Sequence, residues 1–379
     1  MFYRSNEINK LLEETDISHV IYGDKAKEEY VIKKCPFCGK QSLLIDSLRK
    51  TYVCLECKSG GNIFSYLLNF MDVEKAINSI ENIQKMEELQ LDNSEEIELK
   101  NIVMHMMHFY EDHVNEPICK KYLKKRNITE EITKMYHLGY SGKFGSELFD
   151  YLLSKGLNKE SLINSKLFGE TNEKGKTIYY DKFYDRLIFP IFNRNFEVIG
   201  FGGRTLKNSN AKYLNSAENI IFRKGENLYG YQLALKTKKS YLILCEGNID
   251  MIMAQQNGFL NTAASLGTAL TNEQCEMISK DFKHVLLAYD NDDAGRKATM
   301  KAIRLLNKYN IKPNVLDLSP CKDPDEFFNT IGKEEFLKRV NHSISGSLFM
   351  KKYIASLPVE ERIPIIEQML EKGDNYEEL

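Results

Sequence analysis

The sequence predicts an α/β multidomain chain: a small N-terminal metal module, a mixed α+β basic subdomain, a parallel α/β core and a short helical C-terminal segment. Three observations carry this. Two Cys-x2-Cys pairs stand fifteen residues apart near the start, a cation-rich stretch of short β-type pieces fills the middle, and strands alternate with helices beyond Ser240. Shifts in composition place the boundaries at 1–80 for the module, 81–100 for an acidic linker, 101–239 for the basic subdomain, 240–330 for the α/β core and 331–379 for the C-terminal helices.

At 379 residues the chain is long enough for two or three domains, and 42% hydrophobic with 28% charged residues is ordinary for a globular protein. No apolar stretch approaches a bilayer's thickness, and the opening MFYRSNEINKLLEETD is too polar for a signal peptide. A cytoplasmic protein with no membrane partner is therefore expected. The net charge of -2 does not advertise nucleic-acid binding. Between Lys182 and Lys239, however, 11 Lys and Arg face 4 Asp and Glu, a local excess of +7 that suits phosphate.

The first module carries Cys35, Cys38, Cys54 and Cys57 together with the strand-like pieces EEYVIKK and RKTYVCL. Two such knuckles on opposed hairpins present four thiolates to zinc, whereas a disulfide framework does not suit a cytoplasmic chain. Four cysteines close the coordination sphere, so this zinc is expected to fold the module and not to catalyse. After Gly60-Gly61, Ile63, Tyr66, Leu67, Phe70 and Val73 recur at helical spacing; QKMEELQLDNSEEIELK then reads as a linker or a poorly packed helix. Helical texture resumes near Asn101, and Ile178–Tyr231 breaks into short β-type pieces. There, Phe201-Gly202-Gly203-Arg204 and Lys212-Tyr213-Leu214-Asn215-Ser216 combine glycines that admit phosphate closely with cations and amides.

Beyond Ser240 the reading is YLILC strand, NIDMIMAQQNG helix, NTAASL strand, TNEQCEMISKDF helix capped by Thr271, HVLLAY strand, DAGRKATMKAIRLLNKYN helix and KPNVLDL strand. Acidic residues follow three of these apolar runs: Glu246 and Asp250, Asp290 and Asp292, then Asp323 and Asp325. Open α/β sheets bind ligands at such strand ends, and carboxylates there suit hard divalent cations. A single Asp-x-Asp is equally a turn or cap signal, but three clusters on one sheet repel one another unless cations compensate.

Taken in order, CPFC…CLEC, GGNIFSYLLNF, YLKKRNI, RLIFPI…VIGFGGR, KYLNS…IFRKG, CEGNID, SLGTALT, YDNDDAG and DPDEF resemble the motifs of bacterial DNA primases of the DnaG type, from about residue 30 to 340. The resemblance implies a zinc-ribbon DNA-binding domain followed by an RNA polymerase domain with a Toprim core. It also implies synthesis of RNA primers from NTPs on single-stranded DNA, leaving an RNA primer/DNA hybrid. By motif, Glu246, Asp290 and Asp292 hold catalytic Mg2+ or Mn2+, with Asp250, Asp323 and Asp325 in support. Arg126, Arg186, Arg204, Lys212, Asn215 and Lys224 match the family's basic ridge for template and nucleotide phosphates.

Three departures stand out. Cys38 replaces the family's usual histidine, only fifteen residues separate the knuckles, and QSLLIDS follows the first one. The short stretch after His342 offers no counterpart to the helicase-binding domain, so a compact phage or mobile-element form, or a truncated chain, acting as a monomer, is expected, and recruitment of a replicative helicase does not follow. Taken alone, the acidic set also suits a Toprim nuclease or topoisomerase. An inactive zinc-dependent single-stranded-DNA-binding accessory factor is the reading from a different class.

Overall fold

The computed structural model describes residues 30–35, 38–46, 51–62, 94–173, 175–207 and 211–371. The helix expected over 62–83 lies outside them apart from Asn62, as does the linker up to residue 93. The chain divides into two compact units, Met1–Ser94 and Glu95–Leu379.

In the first unit, β1 (Tyr30–Lys34), β2 (Gln41–Asp46), β3 (Thr51–Cys54) and β4 (Gly60–Asn62) form an antiparallel sheet in sequential order. The knuckles occupy its turns. The residue after each second cysteine, Gly39 (φ 75°) and Lys58 (φ 61°), takes the left-handed conformation that turns the chain back. Closing hydrogen bonds run from Gly39 N to Cys35 O at 2.7 Å and from Lys58 N to Cys54 O at 3.0 Å.

The second unit opens on α1 (Ser94–Asp112), so residues 94–100 of the expected linker are the first turns of a helix. Glu95 and Glu96 favour its positive N-terminus. Leu99, Ile102, Val103, Met106 and Tyr110 form its buried stripe at helical spacing. Next come α2 (Pro117–Lys125), α3 (Glu130–Met135), β5 (Gly139–Tyr140), α4 (Glu147–Ser154), α5 (Lys159–Asn164) and a hairpin of β6 (Phe168–Glu173) with β7 (Lys176–Asp181). The strands β8 (Arg186–Phe192), β9 (Val198–Thr205) and β10 (Tyr213–Asn215) join β5 in an antiparallel sheet of order β10-β9-β8-β5.

The third sheet is the expected α/β core. After α6 (Tyr231–Lys236) come β11 (Tyr241–Cys245), α7 (Asn248–Gln256), β12 (Thr262–Ala264), α8 (Asn272–Asp281), β13 (His284–Leu287), α9 (Asp293–Lys308) and β14 (Lys312–Val315). All four strands pair in parallel, in the order β12-β11-β13-β14. Both sheet faces are apolar, as helices on both sides require: Ile243, Cys245 and Leu286 enter one core cluster, Leu242, Leu244, Val285 and Leu287 the other. Thr271 caps α8 in a full capping box with Gln274.

The core closes on α10 (Pro324–Thr330); the C-terminal segment begins with α11 (Lys333–Asn341), but it also contains a strand, β15 (Ile344–Ser345), antiparallel to β14. Ser345 then caps α12 (Gly346–Ser356), which is followed by α13 (Val359–Glu371). The segment thus completes the sheet edge instead of forming helices alone. Among the described residues no helix is long and apolar enough to cross a membrane.

Candidate active site and metal centres

The four cysteines come together as the sequence spacing requires. Cys35 Sγ lies 3.7 Å from Cys57 Sγ, and Cys38 Sγ lies 3.7 Å from Cys54 Sγ. Tetrahedral zinc with bonds of about 2.3 Å separates its sulfurs by about 3.8 Å, so the donors fit the ion. Hydroxyls support them: Ser42 Oγ is 3.2 Å from Cys54 Sγ, and Ser59 Oγ is 3.1 Å from Cys57 Sγ. The Ser42 contact is the largest influence that draws the Cys54 thiol down to about 6, towards the thiolate that zinc needs. Cys38 therefore replaces an imidazole without breaking the cage.

The carboxylates gather at the C-terminal ends of the neighbouring strands β11 and β13 and in the loop after β14. Glu246 follows β11, and its Oε1 accepts the Asp290 N–H at 3.1 Å. Asp250 sits in the first turn of α7 and accepts the Asp325 N–H at 3.2 Å. Asp292 caps α9, using Oδ1 to accept from Gly295 N at 2.9 Å, and Asp323 caps α10 through Glu326 N at 2.8 Å. Both therefore do cap work as well as lying at the site. Gly295 is required: a Cβ there would run into the Asp290 backbone.

Burial and crowding act on this set together. Burial first, then the Asp290 charge, raises the Glu246 carboxyl above its ordinary range. Asp250 is pushed well up by burial and by Asp323 and Asp290. Asp290 is raised by burial, opposed by Lys322, whereas Asp292 is lowered by the Gly295 N–H. A site that disfavours its own charge is one a cation would relieve. Lys322 already answers part of this need, with Nζ 3.5 Å from both Asp290 Oδ2 and Asp292 Oδ2. The oxygen donors suit a hard divalent ion.

Asp325 is placed differently. It is buried, receives Asn329 Nδ2 at 2.9 Å and pairs with the Arg126 guanidinium. Arg126 is thus held on the acidic set. Arg186 also turns to the backbone, donating to the carbonyls of Gly203, Ala211 and Lys212 at 3.2–3.4 Å. Arg204 donates to the Tyr213 hydroxyl and packs over the Tyr122 and Tyr213 rings at 5.5 and 5.0 Å. Asn215 Nδ2 ties β10 to the loop after β12 through Leu266 O at 2.9 Å. Lys212 is exposed; Lys224, in a short 3-10 turn, is partly so. Sequence reading missed Lys322, Tyr122 and Tyr213. Tyr213 lies inside a motif already quoted, and Lys322 directly precedes Asp323.

Comparison with known proteins places these features in one family. Residues 3–99 match the CHC2 zinc finger family, residues 108–235 the DNA primase catalytic core, N-terminal domain, and residues 243–328 the Toprim-like family. A DNA primase from Clostridium acetobutylicum is 32% identical over 325 residues, which cover 82% of this chain and 54% of that protein. The Aquifex aeolicus primase, solved as its zinc-binding and RNA polymerase domains, matches over 98% of both chains with a TM-score of 0.64 and 27% identity. A DnaG primase catalytic domain bound to single-stranded DNA matches with a TM-score of 0.61 and 30% identity, covering 69% of this chain and 83% of that one.

The chain belongs to the DnaG-type primase family. It spans about half the length of the C. acetobutylicum relative. As in that family, the CHC2 module with its four-cysteine cluster is a structural zinc site, and the Toprim core implies magnesium catalysis. Within the DnaG frame, the sheet β10-β9-β8-β5 falls in the N-terminal part of the catalytic core, and the acidic strand ends fall in the Toprim-like part.

Proposed function

We propose that the chain synthesises short RNA primers on single-stranded DNA by nucleotidyl transfer from NTPs. The observation that carries this is the convergence of Glu246, Asp250, Asp290 and Asp292 at adjacent parallel strand ends, in a chain of the DnaG family. The single-stranded DNA in the related catalytic domain supports the choice of template.

Asp290 and Asp292, each with Oδ2 directed at one point, are the residues that would hold a divalent cation, with Glu246 beside them. Bound there, the cation would supply charge neutralisation and Lewis acidity at the triphosphate. Glu246 orients Asp290 through its backbone N–H, and Asp250, Asp323 and Asp325 fix the neighbouring loops. In the reaction a ribonucleotide 3′-hydroxyl attacks the α-phosphorus, one P–O bond forms, and the bond to pyrophosphate breaks.

Lys212, Lys224 and Arg204 are the ridge cations best placed for phosphates. Arg186, Asn215 and Arg126 hold the surfaces that present them. On this reading residues 101–239 carry template and nucleotide, 240–330 carry the chemistry, and 331–379 complete the sheet edge.

Labelled NTPs supplied with single-stranded DNA of mixed sequence and Mg2+ or Mn2+ test the reading. Short, length-resolved RNA products are expected from the wild type and none from Asp290→Asn. Failure to form products on any template, or equal products from Asp290→Asn, overturns it. DNA cleavage without NTP would favour a strand-cleaving enzyme instead.

A further inference from the structure

Lys322 joins the two acidic loops. Its carbonyl accepts the Asn291 N–H at 2.7 Å, and its own N–H donates to Glu326 Oε2 at 2.7 Å. The root of the side chain is thereby fixed both to the loop bearing Asp290 and Asp292 and to the first turn of α10. Two further bonds tie these loops, from Asn291 Nδ2 to Ser319 Oγ at 3.1 Å and to Cys321 O at 3.5 Å. From that root the side chain reaches back and sets Nζ 3.5 Å from Asp290 Oδ2 and 3.5 Å from Asp292 Oδ2.

Asp292 has already committed Oδ1 to the cap of α9, so the oxygen facing Lys322 is the one left for a metal. An ammonium and a divalent ion cannot both occupy that point. The Lys322 side chain is 57% exposed, so its two contacts are screened and hold it there only weakly, by roughly three- to tenfold over the swung-out positions. Its four-carbon stem gives it somewhere to go.

We propose that Lys322 is a displaceable place-holder for the catalytic cation: its ammonium sits between Asp290 and Asp292 when no metal is bound and leaves when a divalent ion enters. This rests on the reading that Asp290 and Asp292 hold the metal. The consequence is a lowered metal affinity in the free protein. The acidic loops keep one geometry in both states, because the ammonium spares the two carboxylates from facing each other uncompensated.

The test is Mn2+ binding to the zinc-loaded full chain without nucleotide, read from the free Mn2+ signal in electron paramagnetic resonance. Lys322→Gln is expected to bind Mn2+ about three- to tenfold more tightly than the wild type, and Lys322→Arg, which keeps a cation, to stay near the wild type. The Asp290→Asn/Asp292→Asn double variant reports whether the signal belongs to this site. If the double variant loses Mn2+ and Lys322→Gln binds no more tightly than the wild type, the metal reading stands and the place-holder falls. If the double variant keeps full Mn2+ binding, both fall. A thermal melt of Lys322→Gln that matches the wild type shows the change is local, as expected for so exposed a side chain.

Discussion

The two metal centres solve opposite problems. In the ribbon, four donors of one kind converge so closely that all their sulfurs lie within 4.8 Å of one another, the one such group of three or more His, Cys, Asp or Glu ligands among the described residues. The Toprim acids come from three loops, held by caps and backbone hydrogen bonds, with Lys322 bridging Asp290 and Asp292. A closed cage leaves nothing for substrate and stabilises its fold; an open, self-repelling set stores a demand for cations that substrate and metal together can meet.

The largest effect should come from breaking the cage. Cys54→Ser removes one of the four thiolates of a site whose whole binding free energy is on the order of 10 kcal/mol. Zinc content measured by atomic absorption is expected to fall, and amide hydrogen exchange to lose protection in strands β1 to β4. The melting transition of the Glu95–Leu379 unit should stay in place.

The same kind of change at the acids should act in the reverse sense. Asp290→Asn is expected to lower primer synthesis by about a thousandfold or more, yet leave the melting temperature unchanged or slightly raised. Burial raises the pKa of this carboxyl, so the fold disfavours its charge, and a neutral isostere relieves that. A large drop in melting temperature would show Asp290 to be structural.

That contrast explains what the sequence could reveal. The cysteine cage is local, so spacing alone specified it, and β11 and β13 were legible because both of their faces are apolar. The gathering of acids followed from strand ends. Their division into metal-holding and supporting residues came from motif order, and a cap was one reading open for Asp292; what spacing could not show is that Asp325 is claimed by Arg126 from 199 positions away. The strand β15 was illegible for the same reason: two residues carry no period, and only pairing with β14 makes them a strand.

A buried acid away from the site sharpens the comparison. Asp181 is 2% exposed and accepts from Tyr110 Oη at 3.0 Å and Phe183 N at 2.8 Å, and burial pushes its pKa up to about 7. Its folded value lies above its unfolded one, so the native state binds the extra proton. Stability should fall as pH rises from about 4 to about 7, by on the order of 3 kcal/mol, and level off above. Asp181→Asn is expected to flatten that slope in urea melts taken across the window. Here no metal can relieve the charge, so added Mg2+ should not restore stability.

Gly295→Ala tests the packing under the open site. The new methyl would meet the Asp290 backbone, which the adjoining cap cannot yield freely. A loss of about 1–3 kcal/mol is expected in chemical denaturation, with primer synthesis falling further than stability explains.

The smallest effect concerns Arg126, where motif and geometry point different ways. As a ridge residue it would neutralise a template phosphate, and its loss would lower the salt dependence of single-stranded DNA binding by about 0.7 in log–log slope. As a clamp on Asp325 it would leave that slope alone and act on stability. The structure favours the clamp, because the Asp325 carboxylate is buried and the guanidinium half-buried against it. Arg126→Met should cost about 1–2 kcal/mol, most of it from leaving Asp325 without its partner. Adding Asp325→Asn should recover part of that loss, giving a coupling of about 1 kcal/mol in the double-mutant cycle. A slope that drops with Arg126→Met and a cycle that sums to zero would return Arg126 to the ridge.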